Sequence, residues 1–281
     1  MKEVLVVSFS GGKTSAYMCH FLIENYSHIY DFVFVFANTG QECEETLVFV
    51  DKVDKALGLN LVWVEAVTSM EYGVGVKHKI VCFETASRNG EPFEDYIAFE
   101  GVPNSVYRTC SERLKKLPIN HYKKENGLRE AKTAIGIRSD EAQRKAQDPE
   151  KDRLVYPLCD WIEIDKQDVN TFWEGQSFTL ELEEHQGNCK TCWKKSDNKL
   201  FLLAHENPEK FEFFDSMEQK YGHIKPDETG RRVFFRNKRS AQDILKQAQL
   251  FEPEYLRRLM GLESDQLDMF GNCSESCEAY F

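Results

Sequence analysis

The stretch from Val4 to Ser15 constrains this chain more than any other. Val4 to Phe9 is an apolar, valine-rich run without polar alternation, as in a strand buried on both faces in the middle of a parallel sheet. It leads straight into Ser8-Phe9-Ser10-Gly11-Gly12-Lys13-Thr14-Ser15 and then into a helix from about Thr14 to Asn25. In that helix Tyr17, Met18, Phe21 and Leu22 recur at helical spacing. Glycines let backbone N–H groups come close to an anion, and a helix N-terminus adds its dipole. Ser10, Thr14 and Ser15 supply hydroxyls, and Lys13 supplies a charge. The segment therefore predicts a phosphate-binding turn. Its spacing is neither that of a Walker A loop nor that of the dinucleotide-binding Gly-x-Gly-x-x-Gly.

The chain then alternates. Phe32 to Ala37 reads as a second buried strand, Glu42 to Leu57 as an amphipathic helix closed by Gly58, and Leu61 to Ala66 as a third strand. Met70 to Val106, with Gly73, Gly75, Gly90, Gly101 and Pro103, reads as a loop-rich insertion. A helix from about Ser111 to Glu125 and a fourth strand from Ala131 to Ile137 follow. Further helices are expected near Lys166–Trp173 (with Asp165 at its cap), Lys199–His205, Pro208–Tyr221 and Ser240–Gln249. This order predicts an α/β fold, a doubly wound parallel sheet with a helical, cysteine-containing C-terminal region. The expected division is a nucleotide-binding domain over residues 1–160 and a helical region over 161–281.

The apolar runs are far too short to cross a bilayer. The N-terminus lacks the apolar region and cleavage site of a signal peptide, so the expectation is a cytoplasmic protein without a membrane partner. The net charge of −11 argues against general affinity for polyanions. The charge is uneven, however. Residues 101–145 are rich in cations, among them Arg108, Arg113, Lys115, Lys116, Lys123, Lys124, Arg129 and Lys132, with few acids between them. Such a surface suits a phosphorylated ligand or a docked nucleic acid; a solvated helix face is the plainer reading. A second basic stretch, Arg231 to Arg239, is open to the same two readings.

The nine cysteines are an odd count with no disulfide framework behind them. Cys19, Cys43, Cys82 and Cys159 are scattered and read as small buried hydrophobes. Cys189-Lys190-Thr191-Cys192 is different, because thiols at this spacing can grip one metal in a tight turn. Cys110, Cys273 and Cys277 are the remaining candidate ligands, none of them in a hydrophobic run. An iron–sulfur cluster, a structural Zn2+ and a redox pair all stay open at this point.

The phosphate loop closely resembles the PP-loop Ser-Gly-Gly-x-Asp-Ser of the adenine nucleotide alpha-hydrolase superfamily, with Thr14 in place of the usual Asp. Ala37-Asn38-Thr39-Gly40-Gln41-Glu42 with Glu45-Thr46 is similar to the Asp-Thr-Gly…Glu-Thr segment of the phosphoadenosine phosphosulfate (PAPS) reductase family, with Asn38 for Asp. Arg108-Thr109-Cys110 with Leu114-Lys115-Lys116-Leu117-Pro118 looks like that family's Cys-Thr-x-x-Leu-Lys-x-x-Pro element. Gly136-Ile137-Arg138-Ser139-Asp140-Glu141 with Arg144 resembles its Gly-x-Arg-x-x-Glu segment. The matches run in family order from Val4 to Ser196.

This resemblance implies a nucleotide site made of Ser8, Ser10, Gly11, Gly12, Lys13, Thr14, Ser15, Asn38, Thr39, Gly136, Arg138 and Arg144, with Lys13, Ser15 and Arg138 as the catalytic candidates. It implies ATP (or PAPS) with Mg2+, and cleavage of ATP between the alpha and beta phosphates to adenylate an acceptor. The cysteine layout looks like family members that hold a [4Fe–4S] cluster, here through Cys110, Cys189, Cys192 and one of Cys273 or Cys277. Sulfur transfer to a tRNA, a DNA or a nucleotide, with a sulfur donor protein and a homodimer as possible partners, is then the leading expectation. A sulfonucleotide reductase using a tail thiol is the second. A nucleotide-binding partner protein without turnover is the third, favoured by Thr14 and Asn38.

Overall fold

The computed structural model describes residues 2–71, 73–187, 189–228 and 230–266. Strand β1 (Glu3–Ser8) leads to helix α1 (Lys13–Tyr26), β2 (Tyr30–Asn38), α2 (Glu44–Leu57) and β3 (Val62–Thr68). β4 (Val76–Val81) and α3 (Glu91–Glu100) come next. A π-helical turn at Glu112–Lys116 runs into α4 (Leu117–Glu125), followed by β5 (Lys132–Ile135), β6 (Leu154–Val155) and α5 (Lys166–Glu174). The remainder is α6 (Asp197–Glu206), α7 (Glu212–Tyr221), α8 (Ala241–Ala248) and α9 (Pro253–Gln266).

Among the described residues six strands form one sheet in the order β4-β3-β2-β1-β5-β6. The chain winds outward from β1 through β2 to β3, then returns to place β5 on the other side of β1. β1 pairs in parallel with both β2 and β5. The sheet is thus doubly wound, and its topological switch point lies between β1 and β5, where open α/β sheets bind ligands at the carboxyl ends of their strands.

Both faces of the sheet are covered, which is why β1 lacks polar alternation. Leu5, Val7, Phe34, Phe36 and Trp63 face α1, α2 and α5. Val6, Val35, Ala37 and Val64 face Ile119 and Tyr122 of α4. Ile164, Val169, Trp173 and Leu180 join the first of these cores, although they follow residue 160. A further core joins Phe93, Tyr96 and Ile97 of α3 to the C-terminal helices through Leu203, Phe214, Ile244 and Leu256. Within it the rings of Phe214 and Phe234 stack at 3.6 Å.

The stretch expected to be loop-rich holds a strand and a helix. β4 is antiparallel to β3 at the sheet edge, and Ile80 on it is 64% exposed, so its sequence carries little of the signal of a buried strand. The glycines and proline around α3 are its punctuation: Gly90 caps the start, Pro92 sits in the first turn and Gly101 caps the end. The expected caps elsewhere are present, with Gly58 left-handed after α2 and Asp165 in a capping box on α5.

Lys123 of α4 is buried, and its ammonium donates to the Ala131 carbonyl and the Thr133 hydroxyl at 2.8 Å each. Burial pulls its pKa down to about 8 from the ordinary 10.5. Between these values the unfolded chain binds the extra proton, so this group's contribution to stability rises with pH from about 8 to 10.5. Urea unfolding of wild type and Lys123→Met at pH 7, 8, 9 and 10 is expected to show a smaller gain across that window in the variant.

Candidate functional site

The loop between β1 and α1 is held from several sides. Gly11 has φ +87°, and a Cβ there would lie 2.8 Å from Cγ2 of Thr46 on α2, so glycine is required both by conformation and by space. The Ser15 hydroxyl donates to the Gly12 carbonyl at 3.0 Å and accepts from the Ser10 N–H at 3.2 Å. The Ser10 hydroxyl lies 2.8 Å from it. Ser15 therefore builds the loop from within. Gly12 caps α1 without a side-chain hydrogen bond, and the first turn has no acid. The first N–H groups have no side-chain cap, an arrangement whose dipole suits an anion. Among the described residues no hydrogen bond or ion pair holds the Lys13 ammonium, whereas the Lys13 carbonyl accepts from Trp173 Nε1 of α5 at 3.0 Å.

The segment after β5 closes on this loop. A Cβ on Gly136 would meet the Ser15 Cα at 3.0 Å, so the absence of a side chain lets the two backbones touch. Arg138 is 3% exposed. Its Nη1 donates to the Thr14 hydroxyl at 3.2 Å, and its Nε and Nη2 grip both Asp140 carboxylate oxygens at 2.9 Å. Glu141 lies 3.5 Å from Arg138 Nη1 and also pairs with Arg144. The two arginines are thus fixed in place by carboxylates while one of them reaches the loop. The Cys159 thiol donates to the Arg138 carbonyl at 2.9 Å, and burial pushes its pKa up to about 11, so it stays a protonated donor.

Asn38 ends β2 and is fully buried. Its Nδ2 donates to Glu65 Oε1 at 2.6 Å and to the Ser87 carbonyl at 2.9 Å. Its Oδ1 accepts from the Gly40 N–H at 3.2 Å. Glu65, in register with Asn38 on β3, also accepts from the Ser87 N–H and hydroxyl and pairs with Lys79 at 2.8 Å. An aspartate at position 38 would set two buried carboxylates against each other. Glu65 therefore explains the asparagine, and nothing in the local sequence around Asn38 announces it.

The next residues connect the sheet to the cysteines. The Thr39 N–H and hydroxyl donate to the Glu42 carboxylate at 2.9 Å. Lys115 pairs with Glu42 at 3.6 Å, with both side chains buried. Glu42 forms an antiparallel bridge with Cys189, and the Lys190 N–H donates to the Gln41 carbonyl at 2.8 Å. The Cys-x-x-Cys turn is thus stitched to the loop after β2. Cys110, Cys189 and Cys192 line one cavity with Thr39, Lys115 and Trp193. It holds about 20 Å³, the room of a single ion or water. The Trp193 indole N–H is buried there without an acceptor among the described residues, a departure from the general rule. Three thiols suit a soft metal in their donor chemistry. Among the described residues three ligand atoms converge within 4.8 Å at Glu183, His185 and Glu206 and not at the three cysteines, so a Zn2+ or a [4Fe–4S] cluster alike requires the cysteine side chains to rearrange. Cys273 and Cys277 lie outside the described residues.

Of the four scattered cysteines, Cys19 and Cys43 are buried and Cys159 is partly so. Cys82 is exposed and bonds to Thr85 instead, because it sits in the turn after β4. Glu65 and the Glu42–Lys115 pair were not assigned roles from the sequence, since Glu65 and Asn38 lie on different strands and Lys115 comes from a different segment than Glu42. Another missed cluster is Glu183, His185 and Glu206. The His185 Nε2 lies 2.6 Å from Glu206, and Arg257 pairs with both glutamates.

The order of these segments at the carboxyl edge of a doubly wound sheet defines a class. A sequence model of the phosphoadenosine phosphosulfate reductase domain matches residues 4–172, and the chain belongs to that family. Cys189 and Cys192 lie beyond the match. The chain is 30% identical over 283 residues to the nin region protein ORF290 of Escherichia phage lambda, covering 98% of this chain and 94% of that protein. Among solved structures it is similar to a phosphoadenylyl-sulfate (PAPS) reductase from Candida auris in a phosphate complex, at 17% identity and a TM-score of 0.37. That match covers 60% of this chain and 71% of the other. It is also similar to the U34-tRNA thiolase NcsA of Methanococcus maripaludis with its [4Fe-4S] cluster, at 16% identity, a TM-score of 0.36, and coverage of 99% and 80%. Among the described residues no helix is long and apolar enough to cross a membrane.

Asn38→Asp is expected to lower stability by roughly 2–4 kcal/mol, the range for burying an uncompensated like charge. Adding Glu65→Gln should recover much of the loss. Thermal unfolding of the two single variants and the double variant gives the coupling, and a double variant no better than Asn38→Asp would show that the two side chains do not interact.

Proposed function

We propose that this chain is an ATP pyrophosphatase of its family, which cleaves ATP between the alpha and beta phosphates to adenylate an acceptor for sulfur transfer. The observation that carries the reading is the shared edge of the sheet. The phosphate loop packs Gly11 against Phe36 of β2, Arg138 reaches the loop through Thr14, and Thr39, just past the end of β2, lines the cysteine cavity.

In this reading the N–H groups at the start of α1 and the Lys13 ammonium hold the beta and gamma phosphates, with Mg2+ neutralising them. Arg138 is held rigid by Asp140 and Glu141 and keeps the Thr14 hydroxyl turned toward the loop. Placing fixed donors where charge develops is the main contribution such a site makes. Asn38 and Thr39 flank the nucleoside. An acceptor oxygen attacks the alpha phosphorus and expels pyrophosphate, and a sulfur nucleophile then displaces AMP from the adenylated acceptor. Cys110, Cys189 and Cys192 would hold a [4Fe–4S] cluster, or Zn2+ in the alternative, and a cluster would supply a place to bind the incoming sulfur. The acceptor class we favour is a nucleic acid.

Sulfonucleotide reduction is the second reading, supported by the family's own description. It needs a nucleophilic thiol from the tail and predicts sulfite from PAPS, lost in Cys273→Ser or Cys277→Ser.

Two measurements test the leading reading. Protein purified without oxygen should carry about four irons and four acid-labile sulfides, lost in Cys189→Ser. Zinc alone would leave adenylation without cluster chemistry. Separately, release of pyrophosphate from ATP should fall about 10²-fold or more in Lys13→Ala, and sulfite production from PAPS with no pyrophosphate from ATP would replace this reading by the reductase.

A further inference from the structure

A groove of about 540 Å³ runs beside α4, away from the phosphate loop. Lys116, Asn120, His121 and Lys124 of the π-turn and α4 line it, together with Arg129 and Lys151. Lys116, Asn120 and Lys124 fall at successive four-residue steps and so form one stripe of the helix. The stripe spans roughly 12 Å at 1.5 Å rise per residue, which is longer than one phosphate group. Lys124, Arg129 and Lys151 are exposed. Among the described residues none of the three has a carboxylate within ion-pair distance, although the protein as a whole is strongly acidic. The other basic stretch behaves differently. Arg231 and Arg232 donate to the Glu218 and Glu100 carbonyls, and Arg236 and Arg239 pair with Asp197. Those arginines hold the fold together, while Lys124, Arg129 and Lys151 present exposed charge at the groove.

We propose that this groove docks the phosphodiester backbone of an RNA strand. Cations in a row along a concave surface match a chain of phosphates, and Asn120 adds a neutral amide donor of the kind such interfaces use on phosphate and sugar. One acidic residue, Asp152, also lines the groove. It would repel a phosphate but can accept from a 2′-hydroxyl, a donor that RNA has and DNA lacks. Lys115 lines the cysteine cavity and its neighbour Lys116 lines the groove, so one helix carries both surfaces. The location rests on the reading above that the acceptor is a nucleic acid.

The test uses the full chain and fluorescence anisotropy with a 20-nucleotide single-stranded RNA and the DNA of the same sequence, across a salt series. Lys124→Glu/Arg129→Glu/Lys151→Glu should weaken RNA binding about 10-fold or more and reduce the magnitude of the salt slope by about 2, as expected for three lost phosphate contacts. A Lys238→Glu/Lys246→Glu control, which adds acidity elsewhere, should do far less. Circular dichroism and ATP affinity should match wild type in both. If wild type binds RNA and the triple variant binds it equally well, the groove is not the docking surface and the nucleic-acid reading survives. If wild type binds no nucleic acid, the groove and the acceptor reading both fall, and ATP cleavage stands or falls on pyrophosphate release. DNA binding as tightly as RNA, or polyglutamate displacing RNA at matched charge, would overturn the RNA assignment.

Discussion

A single close approach governs the carboxyl edge of this sheet. Gly11 turns the chain between β1 and α1 with a left-handed φ, pressed against Thr46 and Phe36, and Gly136 lets the segment after β5 touch Ser15 from the other side. With both backbones in place, α1 starts between the two strands where the sheet reverses direction. Its first N–H groups have no side-chain cap. A helix start left open in this way is costly unless water or an anion satisfies it, and the neighbouring side chains are arranged accordingly. Lys13 is unpaired among the described residues, Trp173 pins the Lys13 carbonyl, and Arg138 is immobilised against Thr14.

The sequence makes this edge legible because its requirements are local. A valine run, two glycines and a helical period occupy adjacent positions, and each reports its own geometry. The same holds for Gly58 and Asp165, whose capping roles are readable from the flanking pattern. β4 is hidden for the opposite reason. It lies at an edge with one partner, so Ile80 stays exposed and its residues need not be apolar. Two of the glycines that make residues 70–106 look like loop, Gly90 and Gly101, are the caps of α3, and a cap and a loop place the same residues at the same spots.

The cysteine site was half legible. Cys189 and Cys192 announce themselves by spacing, and Cys110 by the family element around it. What sequence spacing cannot convey is that the two meet over Thr39, because the meeting depends on Glu42. That carboxylate is buried and satisfied by Thr39 and Lys115, and its backbone bridges to Cys189. Lys115 comes from the turn that follows Cys110, so one buried ion pair draws both cysteine segments onto the loop after β2. A buried pair of this kind adds little net stability. Its effect is to fix which segments face each other, and here those are the segments that bear thiols.

Thr14 and Asn38 depart from the family pattern at positions where a carboxylate is usual, and taken alone they suggest a site that has lost its chemistry. The surrounding charges argue otherwise. Beside Asn38, Glu65 supplies the buried carboxylate one strand over, in register. Beside Thr14, Asp140 and Glu141 supply two carboxylates on Arg138, whose guanidinium also donates to Thr14. In each case an acid stands one contact away from the expected position, linked to it by a hydrogen bond or by a shared arginine. Restoring aspartate at 14 would put a third carboxylate around Arg138. At both departures the edge keeps its acidic charge one contact away, and the start of α1, with Lys13, has no side-chain cap and no acid in its first turn.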